Sequence, residues 1–558
     1  MSSIIIREVD NTTNALDEGV EVAFVPGFGA LSTNSEEYLN KFTLFTSLAK
    51  FKDAMGSYPQ TFATPFAYSA DDWTQNACEQ IGTSVMFEAG DPDPGYCYAS
   101  GLLSAGIPVI YYMANKAPIT TSEAVTAEVT FTENAAENVA FIDNTLDATR
   151  IVIDAKSETE NVTAKFTTVD YSAHKIMIDL TYTGTETAPT SVSIKYTYRS
   201  NVVNAADMYD AFCGSVTTPT IFEELKDRGT YNVKYLTTGG YPIYEFKRDV
   251  YPEAIESAKI SGGNTLVAEV LDVCAAQVSE EGAGENTGRG DCIALIDHTN
   301  YANRTLFDKG DTATSVFGCA NRPTTDVTES LLQFGDKLTF GAMFTPWCAY
   351  SIQGITAGNI ALPASYAYLT CLATSSRIYS SWNAVAGVAR GTVSGITNIL
   401  TTEILTNNIA NKYQIETEGA AGVSINGITR VKPYGQVIWG NRTLQVADAD
   451  KGVTALGFLN IRSMVCDIKK QVYTACKRYM FQENSAILWI NFKAMITPLL
   501  DQMCSGHGLE TYTIRRGAQS NKTKLFAYIT LKPIYAVESF DITITLTDED
   551  ELSVTEEN

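Results

Sequence analysis

FDITITLT, residues 540–547, alternates strictly: Phe540, Ile542, Ile544 and Leu546 face one way, and Asp541, Thr543, Thr545 and Thr547 the other. That period of two marks a strand with one buried face. Two readings stay open. It is an ordinary edge strand of its own domain, or an arm that completes a neighbour's sheet by strand addition. Two landmarks precede it in fixed order. WGNRTL, residues 439–444, follows a glycine-punctuated stretch, and YMFQENSAILW, residues 479–489, joins two helical patterns. Before that joint, Ile461, Met464, Val465, Ile468, Val472, Ala475 and Tyr479 fall at helical spacing and predict one long amphipathic helix. After it, Asn484 or Ser485 can cap a second helix over 486–504, which Pro498 should kink or divide and Gly506 and Gly508 should end.

Outward from this region the patterning changes three times. Residues 205–345 read as α/β, with strands over 233–236 and 292–297, helices over 251–260 and 265–277, and an acidic, Gly-rich loop over 279–290. Residues 118–200 alternate apolar and polar positions over 125–131, 150–154, 175–182 and 191–198, with turn residues between. This predicts an all-β module, a sandwich or small barrel, inserted into the flanking domain. Residues 21–115 read as α/β again: a strand over 22–25 ending at Pro26-Gly27, a helix over 44–55 closed by Gly56, a helix over 96–103 and a buried strand over 107–112. The run Ile4, Ile5, Ile6 favours an extended strand with no local partner. It is either a second arm in the same composite sheet or a frayed terminus.

The expected fold class is therefore α+β / α/β multidomain, with extended terminal arms and an inserted all-β domain. The expected divisions are 1–20 (N-terminal arm), 21–117 and 201–345 (two parts of one α/β domain), 118–200 (inserted β domain), 346–535 (C-terminal α/β domain) and 536–558 (C-terminal arm and acidic tail). A length of 558 residues fits several domains at roughly 150 residues each. Hydrophobic content of 45%, with 29 Tyr and 24 Phe, excludes a mostly disordered chain. No charged start leads into an apolar run and no stretch approaches the ~20 apolar residues of a membrane span, so neither a secretion signal nor membrane insertion is expected.

Eleven Cys without a CxxC, and only His174, His298 and His507, offer no structural zinc set, so the cysteines are expected to be reduced core residues. Asp91, Asp93 and Gly95 fail the calcium-loop pattern, since Pro92 and Pro94 intervene. Arg289-Gly290-Asp291 matches an integrin-binding tripeptide by chance. Neither a GxxxxGK phosphate loop nor a GxSxG elbow is present. No catalytic residue, metal or cofactor is expected. Net charge is −24, unevenly placed: residues 427–535 hold 15 Lys/Arg against 6 Asp/Glu, or +9, which leaves −33 for the rest. The last 22 residues hold 8 Asp/Glu and no Lys or Arg. Such asymmetry points to electrostatic matching within an assembly, and the overall charge argues against nucleic acid as a partner.

Several segments together carry a family resemblance. They are PGFG (26–29), FKDAMG (51–56), YCYASGLLSAGIPVIYYM (96–113), PAS (363–365), WNAVAG (382–387), NGI (426–428) ahead of YGQVIWGNRTL (434–444), FLNIR (458–462) and FQEN (481–484). Outside the β module, the chain resembles the contractile tail sheath proteins of bacteriophages and related injection machines. The resemblance implies a sheath-type C-terminal α/β domain, with FLNIR as a strand entering the long helix. It implies subunits in six-fold rings stacked helically around a tail tube. Arms at Ile4, Ile5, Ile6, Phe540, Ile542, Ile544 and Leu546 would link neighbours. Trp439, Gly440, Arg442, Thr443, Glu483 and Asn484 would be structural motif residues. A basic tube-facing surface would carry Lys493, Arg515 and Arg516. Contraction would draw on a difference between two packings, without nucleotide. The implied partners are further copies, the tail tube protein, and baseplate and tail terminator proteins; the implied location is a virion tail assembled in the host cytoplasm. The β module would decorate the outer surface. A phage tail is favoured over a secretion-system sheath, which splits into two chains, and a bacteriocin particle stays open. The alternatives from other classes are a tail-associated adhesin or receptor-binding module, and a hydrolase.

Overall fold

A computed structural model describes residues 21–29, 38–56, 66–67, 85–87, 92–115, 123–130, 139–143, 150–170, 173–185, 187–200, 212, 220–240, 266–275, 288–297, 335–351, 360–399, 424–445, 453–518, 520, 523 and 525–537. The expected arms at 4–6 and 540–547, and the expected helix over 251–260, lie outside them.

In chain order the strands are β1 (Ala23–Gly29), β2 (Phe42–Phe45), β3 (Phe66–Ala67), β4 (Val85–Phe87), β5 (Val109–Asn115), β6 (Glu123–Thr130), β7 (Val139–Ile142), β8 (Arg150–Ser157), β9 (Val162–Asp170), β10 (Lys175–Tyr182), β11 (Ser191–Ser200), β12 (Tyr235–Thr237), β13 (Ile293–Asp297), β14 (Gly341–Thr345), β15 (Cys348–Tyr350), β16 (Ile360–Leu362), β17 (Ile396–Ile399), β18 (Asn426–Val431), β19 (Gly435–Trp439), β20 (Leu509–Arg516) and β21 (Ala527–Pro533). The helices are α1 (Leu48–Met55), α2 (Pro94–Ala105), α3 (Phe222–Leu225), α4 (Leu266–Cys274), α5 (Ala364–Ser376), α6 (Gly387–Arg390), α7 (Leu459–Tyr479) and α8 (Ala486–Ser505).

An eight-stranded sheet in the order β19-β18-β14-β13-β12-β1-β5-β2 organises the molecule. Its interior pairs are parallel, and β2 and β19 close the two edges antiparallel. Parallel strands covered on both faces read as continuous apolar runs, as IALID and VIYYMAN do. Successive residues then alternate between two cores. Phe24, Ile110, Ala294, Ile296 and Met343 join α4 on one face. Val25, Val109, Ile293, Leu295 and Phe344 join α2 and α5 on the other. This sheet runs straight through the expected division at 345, because β18 pairs with β14 at Phe344 and Thr345. Residues 346–535 therefore contribute two strands to the sheet they were expected to stand beside.

The strands β7-β10-β9 and β6-β11-β8 form two three-stranded sheets. Val129, Ala155, Ile176, Ile178, Val192, Ile194 and Tyr196 bury against one another in a separate core. β7 and β9 escape the sequence reading, β9 because lysine and threonine fill its exposed positions (VTAKFTTVD).

Three other expectations are corrected. The helix over 44–55 is a strand followed by a helix. Phe42–Phe45 pairs with β5, and Ser47 then starts the helix by accepting a hydrogen bond from the Lys50 amide. Of the two outcomes expected at Pro498, a kink or a division, the division does not occur: α8 runs unbroken from Ala486 to Ser505, with the proline on its solvent side. FLNIR is no strand: Phe458 makes one bridge with Arg442, and the helix begins at Leu459.

Candidate assembly surface

α7 crosses the amino ends of the central strands. The start of β12 holds it by several contacts. Asp467 pairs with Lys234, just before β12, at 2.9 Å, and Lys234 also pairs with Glu21, just before β1, at 3.0 Å. Lys470 Nζ donates to the Val233 carbonyl at 2.7 Å. Tyr235 and Ser463 hydroxyls meet at 3.2 Å. Lys234 is buried, and its ammonium is retained because two carboxylates outweigh the cost of burial. Burial is the larger influence on Glu21 and raises its carboxyl pKa against the pull of Lys234. A cleft of about 350 Å³ opens above this cluster, lined by Arg377, Ser381, Trp382, Gln471 and Gln502 among others.

The other face of α7 packs on α8 and on the β20–β21 hairpin. Ile461, Met464, Ile468, Phe492, Ile496, Leu500 and Met503 form the centre, with Tyr512, Ile514, Ile529 and Leu531 of the hairpin half-buried against it. Ser485 caps α8 by accepting from the Leu488 amide at 3.2 Å. Trp382 fills the end of α8, donating from Nε1 to the Gly506 carbonyl at 2.8 Å.

WGNRTL is a buried brace between the sheet edge and the start of α7. Trp439 ends β19. Asn426 accepts from the Arg442 amide and donates to the Arg442 carbonyl, both at 2.8 Å. Asn441 donates to Asn460 at 2.7 Å, and Thr443 Oγ1 donates to the Leu456 carbonyl at 2.9 Å. The Arg442 guanidinium lies 4.2 Å over the Phe458 ring, which also meets Tyr535 in a T-shaped pair, centroids 5.1 Å apart. Gly440 is the half-buried link from β19 into this brace. A brace of this kind fixes geometry and leaves little of itself to solvent.

The exposed part of the region is apolar and basic. Met480 and Phe481 stand in the turn between α7 and α8, with Phe481 at φ 64 and its ring entirely in solvent. Ile487 and Ile490 face outward on the first turns of α8. Glu483 is exposed in the same turn, and Asn484 accepts from Arg516 Nη2 at 3.3 Å. The structure thus brings Arg516 to the FQEN turn. Arg515 is exposed on the same strand, and Lys493 is exposed two helical turns into α8.

The hairpin β20–β21 is a two-stranded sheet. Its residues alternate between the α7–α8 core and solvent, and neither outer edge pairs with a strand among the described residues. The chain leaves β21 through Ile534, Tyr535 and Val537, all exposed, the last at 70%. Two strands alone are marginal in water, and open edges invite a further strand.

Among the described residues, several places where other kinds of site could sit are filled by side chains. In open α/β sheets, ligands sit beyond the carboxyl ends of the strands. Here that place holds side chains: a Cβ on Gly240 would meet Trp347, Pro94 and Pro363. Asp297, at the end of β13, accepts from the amide and hydroxyl of Ser365, both at 2.9 Å. Burial raises its carboxyl pKa to about 7. Arg289 and Asp291 are buried and pair with each other at 2.9 Å, so the RGD tripeptide is not displayed. Cys97, Cys274, Cys292, Cys348, Cys371 and Cys466 are free and buried. No group that could hold a metal ion, and no helix long and apolar enough to cross a membrane, occurs among the described residues.

No family model and no curated protein matches the chain. Among solved structures it is similar to the anti-feeding prophage helical sheath in its contracted state, with 13% identity over 97% of this chain and 98% of that one and a TM-score of 0.44. It is also similar to the sheath tail protein of Desulfitobacterium hafniense, with 9% identity over 96% and 100% and a TM-score of 0.40. A third similarity is to the PVC sheath complex of an extracellular contractile injection system in its contracted state, with 16% identity over 60% and 76% and a TM-score of 0.36.

Proposed function

We propose that this chain is the structural subunit of a contractile tail sheath. Copies stack as hexameric rings around a tail tube and contract to drive the tube through the host envelope. The observation that carries this reading is the β20–β21 hairpin. It is seated on its own helical pair, its outer edges are unpaired among the described residues, and the sequence beyond it is patterned as a one-faced strand. A neighbour's strand added there would bury Phe540, Ile542, Ile544 and Leu546 and extend the ladder. Ile4, Ile5 and Ile6 would pair in the same composite sheet. Such arms keep subunits connected while their bodies slide between two packings, so the stroke needs no nucleotide and no catalytic centre.

The exposed Met480, Phe481, Ile487 and Ile490, with Lys493, Arg515 and Arg516 beside them, form the surface turned to the tube. Trp439, Gly440, Arg442 and Thr443 hold that surface to the sheet, and Glu483 and Asn484 shape its turn. The strands of 118–200 form an inserted domain on the outside of the assembly. Baseplate and terminator proteins meet the ends of the stack in a virion tail assembled in the host cytoplasm.

Negative-stain electron microscopy of the full chain, beside a chain ending at residue 537, tests this. Tubes or ring stacks are expected from the full chain only. Monomers from both, with and without added tube protein, would exclude an arm-linked sheath and leave the adhesin or receptor-binding reading.

A further inference from the structure

Arg462, Cys466, Lys469, Tyr473 and Lys477 follow one another along α7 at three- and four-residue steps, on a flank of the helix beside the face that packs on α8 and the hairpin. Two aromatic rings carry the cations of this stripe. The Arg462 guanidinium stands 4.1 Å over the Phe340 ring, and Lys469 Nζ lies 5.4 Å from the same ring. Further along the stripe, the Tyr473 ring takes Lys477 Nζ at 4.7 Å and the Arg228 guanidinium at 5.5 Å.

Two other buried cations are matched by carboxylates: Lys234 has Glu21 and Asp467, and Arg289 has Asp291. The stripe is not. Arg462 is 2% exposed and its Nε has no hydrogen-bond partner. Among the described residues, no carboxylate lies within ion-pair distance of Arg462 or Lys469. The nearby Asp291 is held by Arg289, and Asp227, beside Lys477, accepts from the Gly229 amide and the Thr230 hydroxyl. Burial, with repulsion from Arg462 and Arg228, pushes the Lys469 ammonium below its usual range. Aromatic faces offset part of this cost, but desolvated cations without carboxylates are expensive. They are more surprising still in a chain of net charge −24. An acidic segment arriving from elsewhere would remove the mismatch.

We propose that the stripe of Arg228, Arg462, Lys469 and Lys477 is a docking site for the acidic tail of a second copy, through Asp548, Glu549, Asp550 and Glu551. These four successive carboxylates directly follow the strand pattern 540–547. The proposal rests on the arm-linked reading above. With that strand seated on the hairpin, the tail begins on one side of the α7–α8 pair and must pass round to this flank of α7. A helix with its side chains is about 10–12 Å across, and the four acidic residues 548–551 extend to roughly 13–14 Å. Lys469, Lys477 and Arg228 would pair with carboxylates directly, with Arg462 adding field from behind. The tail would thus lock the arm after the strand is in place, and the lock would loosen with salt.

The test is a titration of a fluorescein-labelled peptide of residues 546–558 into the full chain carrying Asp548→Asn, Glu549→Gln, Asp550→Asn and Glu551→Gln, so that no native tail competes. Saturable, salt-sensitive binding is expected. It should weaken at least tenfold with Lys469→Gln plus Lys477→Gln, and with a peptide whose four acids are amides. Lys469→Arg should retain it. Melting temperatures of the variants confirm that they fold. No binding, or binding that ignores these changes, overturns the site. Carbodiimide coupling of mixed 15N- and 14N-labelled full chains then identifies the donor. Heavy–light tail-to-Lys469 crosslinks are expected, and crosslinks within single chains only would overturn the second copy as the source. The peptide titration does not require tubes, so its failure and a failure of the sheath reading remain distinguishable.

Discussion

Asp297 is a carboxyl group held where charge is costly. It sits at the carboxyl end of β13, is 2% exposed, and has as its polar partners the amide and hydroxyl of Ser365 at the start of α5. Burial outweighs these bonds and raises its pKa from 3.8 to about 7. A carboxyl raised in this way binds its proton more tightly folded than unfolded. Its stabilisation is full below the unfolded value and is lost as pH rises through the folded one. Between about pH 5 and about pH 8 the loss is on the order of 3 kcal/mol. Asp297→Asn cannot titrate and keeps an oxygen for the Ser365 amide. The wild-type melting temperature should therefore fall across that interval more than the variant's. Equal slopes in a pH series of thermal melts would remove Asp297 as the cause. In the sequence, Asp297 is only the last residue of an apolar strand. Its environment is supplied by Ser365, 68 positions later, and by Tyr98, whose hydroxyl meets Ser365 Oγ at 2.9 Å. No local pattern announces such a site.

At the scale of elements, the end of α8 shows how closely packing can depend on two glycines. Trp382 lies against both Gly506 and Gly508, and a Cβ on Gly508 would stand 2.6 Å from the indole ring. Gly508→Ala must push the ring aside, stretching its hydrogen bond to the Gly506 carbonyl. Overpacking of this kind costs about 1–3 kcal/mol. Urea unfolding followed by tryptophan emission should show the lower midpoint and a more solvated indole; an unchanged midpoint would mean that Trp382 has room to retreat. The sequence marks these glycines only as helix stops. It locates α7 and α8 well, because a 3.6-residue apolar period and the Ser485 cap are local signals. It misplaces the start of α1, because Leu44 and Phe45 fit a helical pattern as readily as an edge strand and only pairing with β5 decides between them. WGNRTL is legible as a motif but not as a mechanism. That Asn426 brackets the Arg442 backbone, and that Phe458 carries its guanidinium, follows from chain segments brought together by the fold.

At the scale of the molecule, stability is divided among cores that do not share residues. The large sheet has one on each face, the α7–α8 pair with its hairpin has another, and strands β6 to β11 have their own. That last core is made by residues between Val129 and Tyr196 alone. Among the described residues its strands pair only with one another, whereas β1 pairs with β12 across a chain separation that skips the whole module. Among the described residues, removing 118–200 in favour of a flexible Gly/Ser linker takes away that core and no residue of the other three. Changes at distant sites with no shared partners combine almost independently, so the main unfolding transition should keep its midpoint. If these strands lie on the outside of a tube, the shortened chain should still polymerise, and its tubes should be narrower in negative stain while keeping the same bore. Loss of folding would show that the module supports the sheet. Folded monomers would place it between subunits rather than outside them, where the contraction would have to move it.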